Sequence, residues 1–328
     1  MATLPQISDP TLDAVDRALE AREARRLPRP YLGASAIGRA CQRRLWLDFR
    51  WAGRETIDAA GIKRIEDGHR GEDVQADRLR LVQGVTLLTV DPDTGRQWGI
   101  EDHGGHFRGH MDGAIVGLLQ APATWHVWEH KQVGDDKLAK LEKLKAEVGE
   151  KAALLAWDAV YWAQAQTYMH YTGMERHYLT AASPGGRRTV SVRTEYDAAQ
   201  AIRIVEKAKR VIFADRPPEP ISADPAYFEC RWCPHAASCH GREMAARSCR
   251  TCIFANPHPD GGWRCLKHLR GIDEVQQREG CPDQRLIPDL VPGKQTDAAD
   301  DGSWIAYTLK GGQAWVDEGP EQDARAAA

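Results

Sequence analysis

Apolar positions recur at helical spacing from residue 62 to 82, where Ile65, Val74 and Leu81 predict one long amphipathic helix. The period then changes. Five short strand-like stretches follow, at residues 85–90, 97–101, 106–111, 114–119 and 125–131. Residues 135–151 return to helix, with Lys and Glu at spacings that read as a solvated, self-paired face rather than a DNA contact. An aromatic-rich helix is expected over 152–172, on which Gln164 and Tyr168, four residues apart, share a face. Residues 177–182 and 188–194 read as paired strands around Pro184-Gly185-Gly186. An amphipathic helix over 197–213 ends before the breaker Pro217-Pro218-Glu219-Pro220. Upstream, residues 14–26 are helix-like, and Ser35 is placed to cap a helix carrying Cys41. Helix, meander, helices, strands and helix define a mixed α/β class.

Composition narrows the reading. A chain of 328 residues can bury a large core and still carry an appendage. Its net charge of -3 excludes a polybasic nucleic-acid coat but leaves room for a local basic groove. The eleven tryptophans are read chiefly as core filling, with base stacking the lesser use. The first ten residues lack a positive-then-apolar signal pattern, and no apolar run approaches the ~18 residues of a membrane span, so a cytoplasmic protein is expected. Gly293-Lys294 lacks the upstream glycine of a phosphate loop, which argues against an ATP-driven motor. In that compartment the eight cysteines are not expected to pair as disulfides. Cys41 stands alone and the other seven lie between Cys230 and Cys281, a distribution that suits metal ligation.

The chemistry centres on Gly109-His110-Met111-Asp112-Gly113 and Glu129-His130-Lys131. Read as a hairpin, the second strand puts Glu129 and Lys131 on one face by its period of two, with Asp112 converging from the adjoining turn. Two carboxylates and an ammonium suit a hard, oxygen-bound cation and a water to be activated. Upstream lies Gly68-His69-Arg70-Gly71-Glu72, whose two glycines in one helical turn suggest close packing against that backbone.

Taken in order, Gly68-x-x-x-Glu72, Gly109-x-x-Asp112, Glu129-x-Lys131 and Gln164-x-x-x-Tyr168 resemble the PD-(D/E)xK nuclease superfamily, in its RecB-like exonuclease branch. The resemblance covers residues 35 to 239. It implies a restriction-endonuclease-like helix–sheet–helix core, with Asp112, Glu129 and the backbone carbonyl of His130 holding a catalytic Mg2+ or Mn2+. Glu72 takes the position of an additional ligand, and His69 is an outside candidate for it. Lys131 would orient or deprotonate the attacking water, and Gln164 and Tyr168 would position the scissile strand. His103, His106 and His110 lie near the turn but read as packed or solvent-facing.

Cys41 with Cys230-x2-Cys233-x5-Cys239 brackets these motifs. Zinc could occupy such a set. Its layout is similar to the iron–sulfur subset of the RecB-like nucleases, AddB and the CRISPR-adaptation nucleases, and that likeness implies a 4Fe-4S cluster of structural role. Cys249-x2-Cys252-x12-Cys265-x15-Cys281 forms a second set in a segment with few apolar residues, where a structural Zn2+ would supply folding energy. His268 is an alternative to Cys281 there.

The expected organisation is an N-terminal helix and linker (1–34), a nuclease domain closed by the first cysteine set (35–240) and a zinc module (241–292). A polar tail with one hairpin (293–328) follows, disordered at Gln322–Ala328. The implied function is metal-dependent DNA exonuclease action in phage-type recombination or end processing. End trimming for CRISPR spacer acquisition and a non-catalytic DNA- or protein-binding factor are the rival readings. Besides DNA, the resemblance suggests a recombinase, a single-strand-binding protein or a helicase as partner, no membrane, and a homo-oligomer.

Overall fold

The computed structural model describes residues 9–320; the C-terminal segment expected to be disordered lies outside them. Ten helices are seen among these residues: α1 (Pro10–Ala24), α2 (Gln42–Phe49), α3 (Ala59–Arg80), α4 (Asp135–Val148), α5 (Glu150–Trp157), α6 (Ala159–Thr172), α7 (Ala198–Phe213), and the short α8 (Phe228–Arg231), α9 (Ala236–Cys239) and α10 (Glu274–Glu279). The class is mixed α/β.

A five-stranded sheet runs through the centre in the order β2 (Thr86–Leu88), β5 (Gly113–Val116), β6 (His126–Gln132), β7 (Arg176–Ala182), β8 (Thr189–Glu195). Only β6 and β7 pair in parallel, because the chain crosses over between them through α4, α5 and α6. The period of two sorts side chains to opposite faces. Val127 joins Leu138, Leu154, Met169 and Leu179 in the main core, while Trp128 joins Ala76, Leu87, Ile115 and Tyr178 beneath α3.

A second sheet, β1 (Leu32–Gly33), β4 (Phe107–His110) and β3 (Gly99–Asp102), abuts the first. The chain therefore leaves one sheet at His110 and enters the other at Gly113. Asp112 sits at this junction, not in a hairpin turn. Strands β9 (Ala255–Pro257), β10 (Trp263–Cys265) and β11 (Arg270–Ile272) form a third sheet, and β12 (Gly293–Ala298), β13 (Ile305–Leu309) and β14 (Ala314–Asp317) a fourth.

Several boundaries differ from the sequence reading for local reasons. Cys41, not Ser35, caps α2, its sulfur accepting from the Arg44 N–H at 3.4 Å. The long helix expected over 152–172 divides, because Asp158 caps a new helix by accepting from the N–H groups of Val160 and Tyr161. In α3 the named apolar residues Ile65, Val74 and Leu81 face solvent, and Ile62 and Ala76 are buried instead. Gly71 does pack closely, since an added Cβ would come 2.5 Å from the Gln132 side-chain oxygen, whereas Gly68 faces open space. The tail holds a third strand, β12, and the fourth sheet packs on Leu286, Val291, Ile305 and Tyr307.

Residues 249–290 are joined to the main core, to which Cys249, Cys252, Ala255, Trp263, Cys265 and Ile272 contribute. Two buried arginines clasp the junction. Arg50 donates to the carbonyls of Arg250, Ala255 and Ala214, and Arg250 donates to those of Phe49 and Pro30. Burial lowers both guanidinium pKa values, to about 10 for Arg50 and about 9 for Arg250. The Arg250 guanidinium also lies 3.7 Å from the centre of the Trp51 ring.

Candidate active site

Close backbone approach shapes the junction that carries Asp112. A Cβ on Gly109 would lie 2.7 Å from both Ala34 and the Tyr168 ring. Tyr168, buried on α6, donates its hydroxyl to the His110 carbonyl at 2.7 Å and so fixes the strand end. Gln164 donates to the Tyr168 hydroxyl at 3.3 Å from one helical turn earlier.

Asp112 is tied to β6 at two points. Its Oδ2 accepts from the His130 N–H at 2.8 Å, and its own N–H donates to Glu129 Oε1 at 3.4 Å. Lys131 Nζ donates to Glu129 Oε2 at 2.7 Å, as the shared strand face requires. The His130 ring turns to the opposite face, with Nδ1 3.0 Å from Thr180 Oγ1 and Nε2 3.3 Å from Gln132 Oε1.

The site carries more negative charge than it can compensate. Glu129 is 1 % exposed. Burial, then the Asp112 carboxylate, holds its pKa above the usual carboxylate range despite Lys131. Glu72, reaching in from α3, is raised by the same two causes in the same order. Burial opposes the Lys131 ammonium, yet Glu129 and Asp112 outweigh it and raise the lysine pKa. Burial, then Glu129, also raises the Tyr168 phenol, so it stays protonated. Asp112, Glu129, Lys131, Tyr168 and Gln164 thus meet at the junction through hydrogen bonds, and Asp112 and Lys131 act on Glu72 through their charge. His69 is exposed. His106 is buried among Phe49, Phe213 and Trp263, and His103 stacks on Phe107.

Two neighbours escaped the sequence reading. The Tyr161 ring lies 5.5 Å from Lys131 Nζ and 4.6 Å from Lys137 Nζ. Tyr161 precedes Gln164 by one turn, so the face shared by Gln164 and Tyr168 could have been extended back to it. Lys137, paired with Asp158 at 2.7 Å, lay in the charged helix that was read as self-paired.

A divalent cation fits the acidic cluster on charge grounds. Three carboxylates face one ammonium, and two of them are pushed toward protonation, a repulsion that a cation would relieve.

Cys41, Cys230, Cys233 and Cys239 line one small cavity with Arg44, Leu47 and His235. Burial, then the thiols of Cys41, Cys239 and Cys233, raises Cys230. In the second set Cys249 is pushed up to about 12 by burial, then by Cys252, Cys281 and Cys265. Cys252 rises to about 11, chiefly by burial. Thiols gathered and desolvated without a cation are poor acids, and a bound metal would reverse both effects. Among the described residues, one group of three or more metal-ligating side chains has all its ligand atoms within 4.8 Å of one another: His268, Cys281 and Asp283. His268 Nε2 lies 3.8 Å from Cys281 Sγ and 3.3 Å from Asp283 Oδ2, which keeps His268 beside the second set.

No family model matches the chain, and no curated protein matches it. Among solved structures it is similar to the alkaline exonuclease LHK-Exo from Laribacter hongkongensis, at 17 % identity and a TM-score of 0.38, covering 60 % of this chain and 90 % of that one. A phage-related exonuclease from Haemophilus somnus 129PT is similar at 16 % identity and a TM-score of 0.36, over 54 % of this chain and 78 % of that one. The structure titled SSO0001 overlaps 72 % of this chain and 99 % of its own, at 14 % identity and a TM-score of 0.38. At such values the likeness carries no argument about chemistry, which rests on the site itself. No helix among the described residues is long and apolar enough to cross a membrane.

Proposed function

We propose that the protein is a metal-dependent DNA exonuclease of the RecB-like PD-(D/E)xK kind, acting in phage-type recombination or DNA end processing. The observation that carries this reading is the convergence of Asp112, Glu129 and Lys131 at the sheet junction, with Glu72 contributed by α3. In this reading Asp112, Glu129, Glu72 and the His130 carbonyl would hold Mg2+ or Mn2+. When bound, the cation supplies a water nucleophile near neutral pH and neutralises charge on the phosphate. Lys131 keeps its proton, because Glu129 and Asp112 raise its pKa. It therefore acts as a fixed cation that orients the water and stabilises the phosphate's developing charge, not as a base. Tyr168 and Gln164 hold the strand end that presents Asp112 and would position the scissile strand through it.

The proposal extends to the cysteines. Cys41, Cys230, Cys233 and Cys239 hold a 4Fe-4S cluster that closes residues 35–240. Cys249, Cys252, Cys265 and Cys281 hold Zn2+ in a module built onto the same core over residues 241–292. That Cys41, Cys230, Cys233 and Cys239 line one cavity supports their acting as one ligand set.

The test is digestion of labelled DNA by anaerobically purified protein, with and without Mg2+ or Mn2+. Cutting only with the metal is expected, along with a brown protein absorbing near about 400 nm that carries about four irons and one zinc per chain. Metal-independent cutting, or DNA binding without cutting, contradicts the nuclease reading.

A further inference from the structure

Beyond the acidic cluster, the first cysteine set borders a second feature that the catalytic reading leaves unused. An open groove of about 430 Å3 runs between the cysteine-bearing α9 and the terminal β12–β14 sheet. Its charged walls are Arg43, Arg216, Lys294 and Lys310, set against the single carboxylate of Asp289. Four cations in one groove are notable in a chain whose net charge is -3. A local concentration of one sign within a balanced surface focuses the field on that groove.

The cations are fixed to different degrees. Arg43 donates to the Pro218 carbonyl at 3.1 Å, and its Nε is buried without a hydrogen-bond partner. Lys310 reaches the Gly241 carbonyl at 3.0 Å. Arg216 is 79 % exposed and meets Asp289 only at 3.8 Å. Lys294 is exposed on β12. Outside the groove lining, Phe228 and Trp232, in sequence beside Cys230 and Cys233, are 63 % and 77 % exposed. The Arg231 guanidinium lies 5.4 Å from the centre of the Trp232 ring. Spaced cations along one groove are what the phosphates of a nucleic-acid strand engage.

We infer that this groove is a nucleic-acid contact separate from the acidic cluster, in which Arg43, Arg216, Lys294 and Lys310 receive the phosphates of a DNA strand. The inference deepens the nuclease reading by giving the substrate a path past the cysteine-held part of the fold. It also explains why the terminal sheet is built onto the protein: β12 supplies Lys294, and Lys310 directly follows β13.

The experiment measures binding of a fluorescein-labelled DNA strand by anisotropy, using the full-length, metal-loaded protein without added Mg2+ or Mn2+. Arg216→Glu with Lys294→Glu is the groove variant, and Arg203→Glu with Lys209→Glu on exposed positions of α7 makes the same charge change elsewhere. The groove pair should raise Kd at least about tenfold and flatten the slope of log affinity against log salt by about 1 to 2. The α7 pair should change both far less. Equal effects of the two pairs, or an unchanged Kd and slope in the groove pair, overturn the inference. Should the charge reversal disturb folding, seen by circular dichroism, Arg216→Ala with Lys294→Ala gives the same reading at smaller amplitude. A protein that binds through the groove yet never cuts defeats the nuclease reading alone. One that cuts while the groove pair binds normally defeats the groove alone.

Discussion

The acidic cluster and the two cysteine sets are both crowded with groups that resist being gathered, yet they are held in opposite ways. At the sheet junction the protein supplies its own counter-charge: Lys131 bonds Glu129, the His130 N–H bonds Asp112, and Tyr168 pins the strand end. The cysteines receive only weaker support, from backbone N–H groups such as that of Arg44 on Cys41 and that of His268 on Cys265. Their thiols gather beside one another and are desolvated, with pKa values that rise accordingly. The acidic cluster should therefore keep its shape without metal and lose only its chemistry, whereas the cysteine sets should lose their structure.

The largest predicted effect follows directly. On the proposed metal assignment, replacing Cys252 by Ser, or stripping the metals, should lower the melting temperature by at least about 10 °C or prevent folding, because metal binding there would be folding energy. Calorimetry of the parent and Cys252→Ser proteins checks it. Next in size, Lys131→Ala should destabilise the metal-free protein by about 3 kcal/mol, since it leaves buried Glu129 without its cation. Asp112→Asn should be neutral or stabilising in the same denaturant titration, because it removes repulsion from Glu129 and Glu72. The same sign for both variants would break the comparison.

The pH dependence sharpens it. Glu72 has a folded pKa above its unfolded value of about 4.5. The folded state then holds the extra proton, so this group's contribution is complete below the unfolded value and is lost as pH rises through the folded one. Metal-free parent protein should lose stability relative to Glu72→Gln between pH 5 and neutrality, and Mg2+ should erase the difference. His177 behaves oppositely. Burial lowers its pKa to about 3, and neither ring nitrogen has a hydrogen-bond partner. Unfolding takes up a proton below about pH 6.5, so stability falls as pH drops from there toward 3. His177→Leu should flatten that acid limb in thermal melts. The smallest effect separates the two helix glycines. Gly68→Ala, with open space around it, should stabilise by about 0.5 to 1 kcal/mol, while Gly71→Ala, which meets Gln132, should gain less or lose stability.

Much of this was legible in the residues, but unevenly. The strand carrying Glu129 and Lys131 lies within one residue of its expected limits. Asp112 was found as a residue but misplaced as a turn, since nothing local distinguishes a hairpin from a passage between sheets. The core face of α3 was misjudged because Ile65, Val74 and Leu81 are apolar yet exposed, while Gln75 is polar yet buried. Tertiary packing decides such cases. Arg50 and Arg250 were invisible as core residues, because only the finished fold supplies the carbonyls that accept from them. The third strand of the terminal sheet, β12, has mostly exposed side chains and so carries no hydrophobic period to read.

On the proposed reading, Asp112, Glu129 and Lys131 form a catalytic centre rather than a mixed-charge sheet junction. It is tested most directly by digestion of end-labelled DNA with Mg2+ or Mn2+, comparing the parent with Asp112→Ala and Lys131→Ala at equal iron and zinc content. The account predicts metal-dependent shortening by the parent and a loss of at least about a hundredfold in rate for each variant. If either variant digests DNA as fast as the parent, the centre has been wrongly placed.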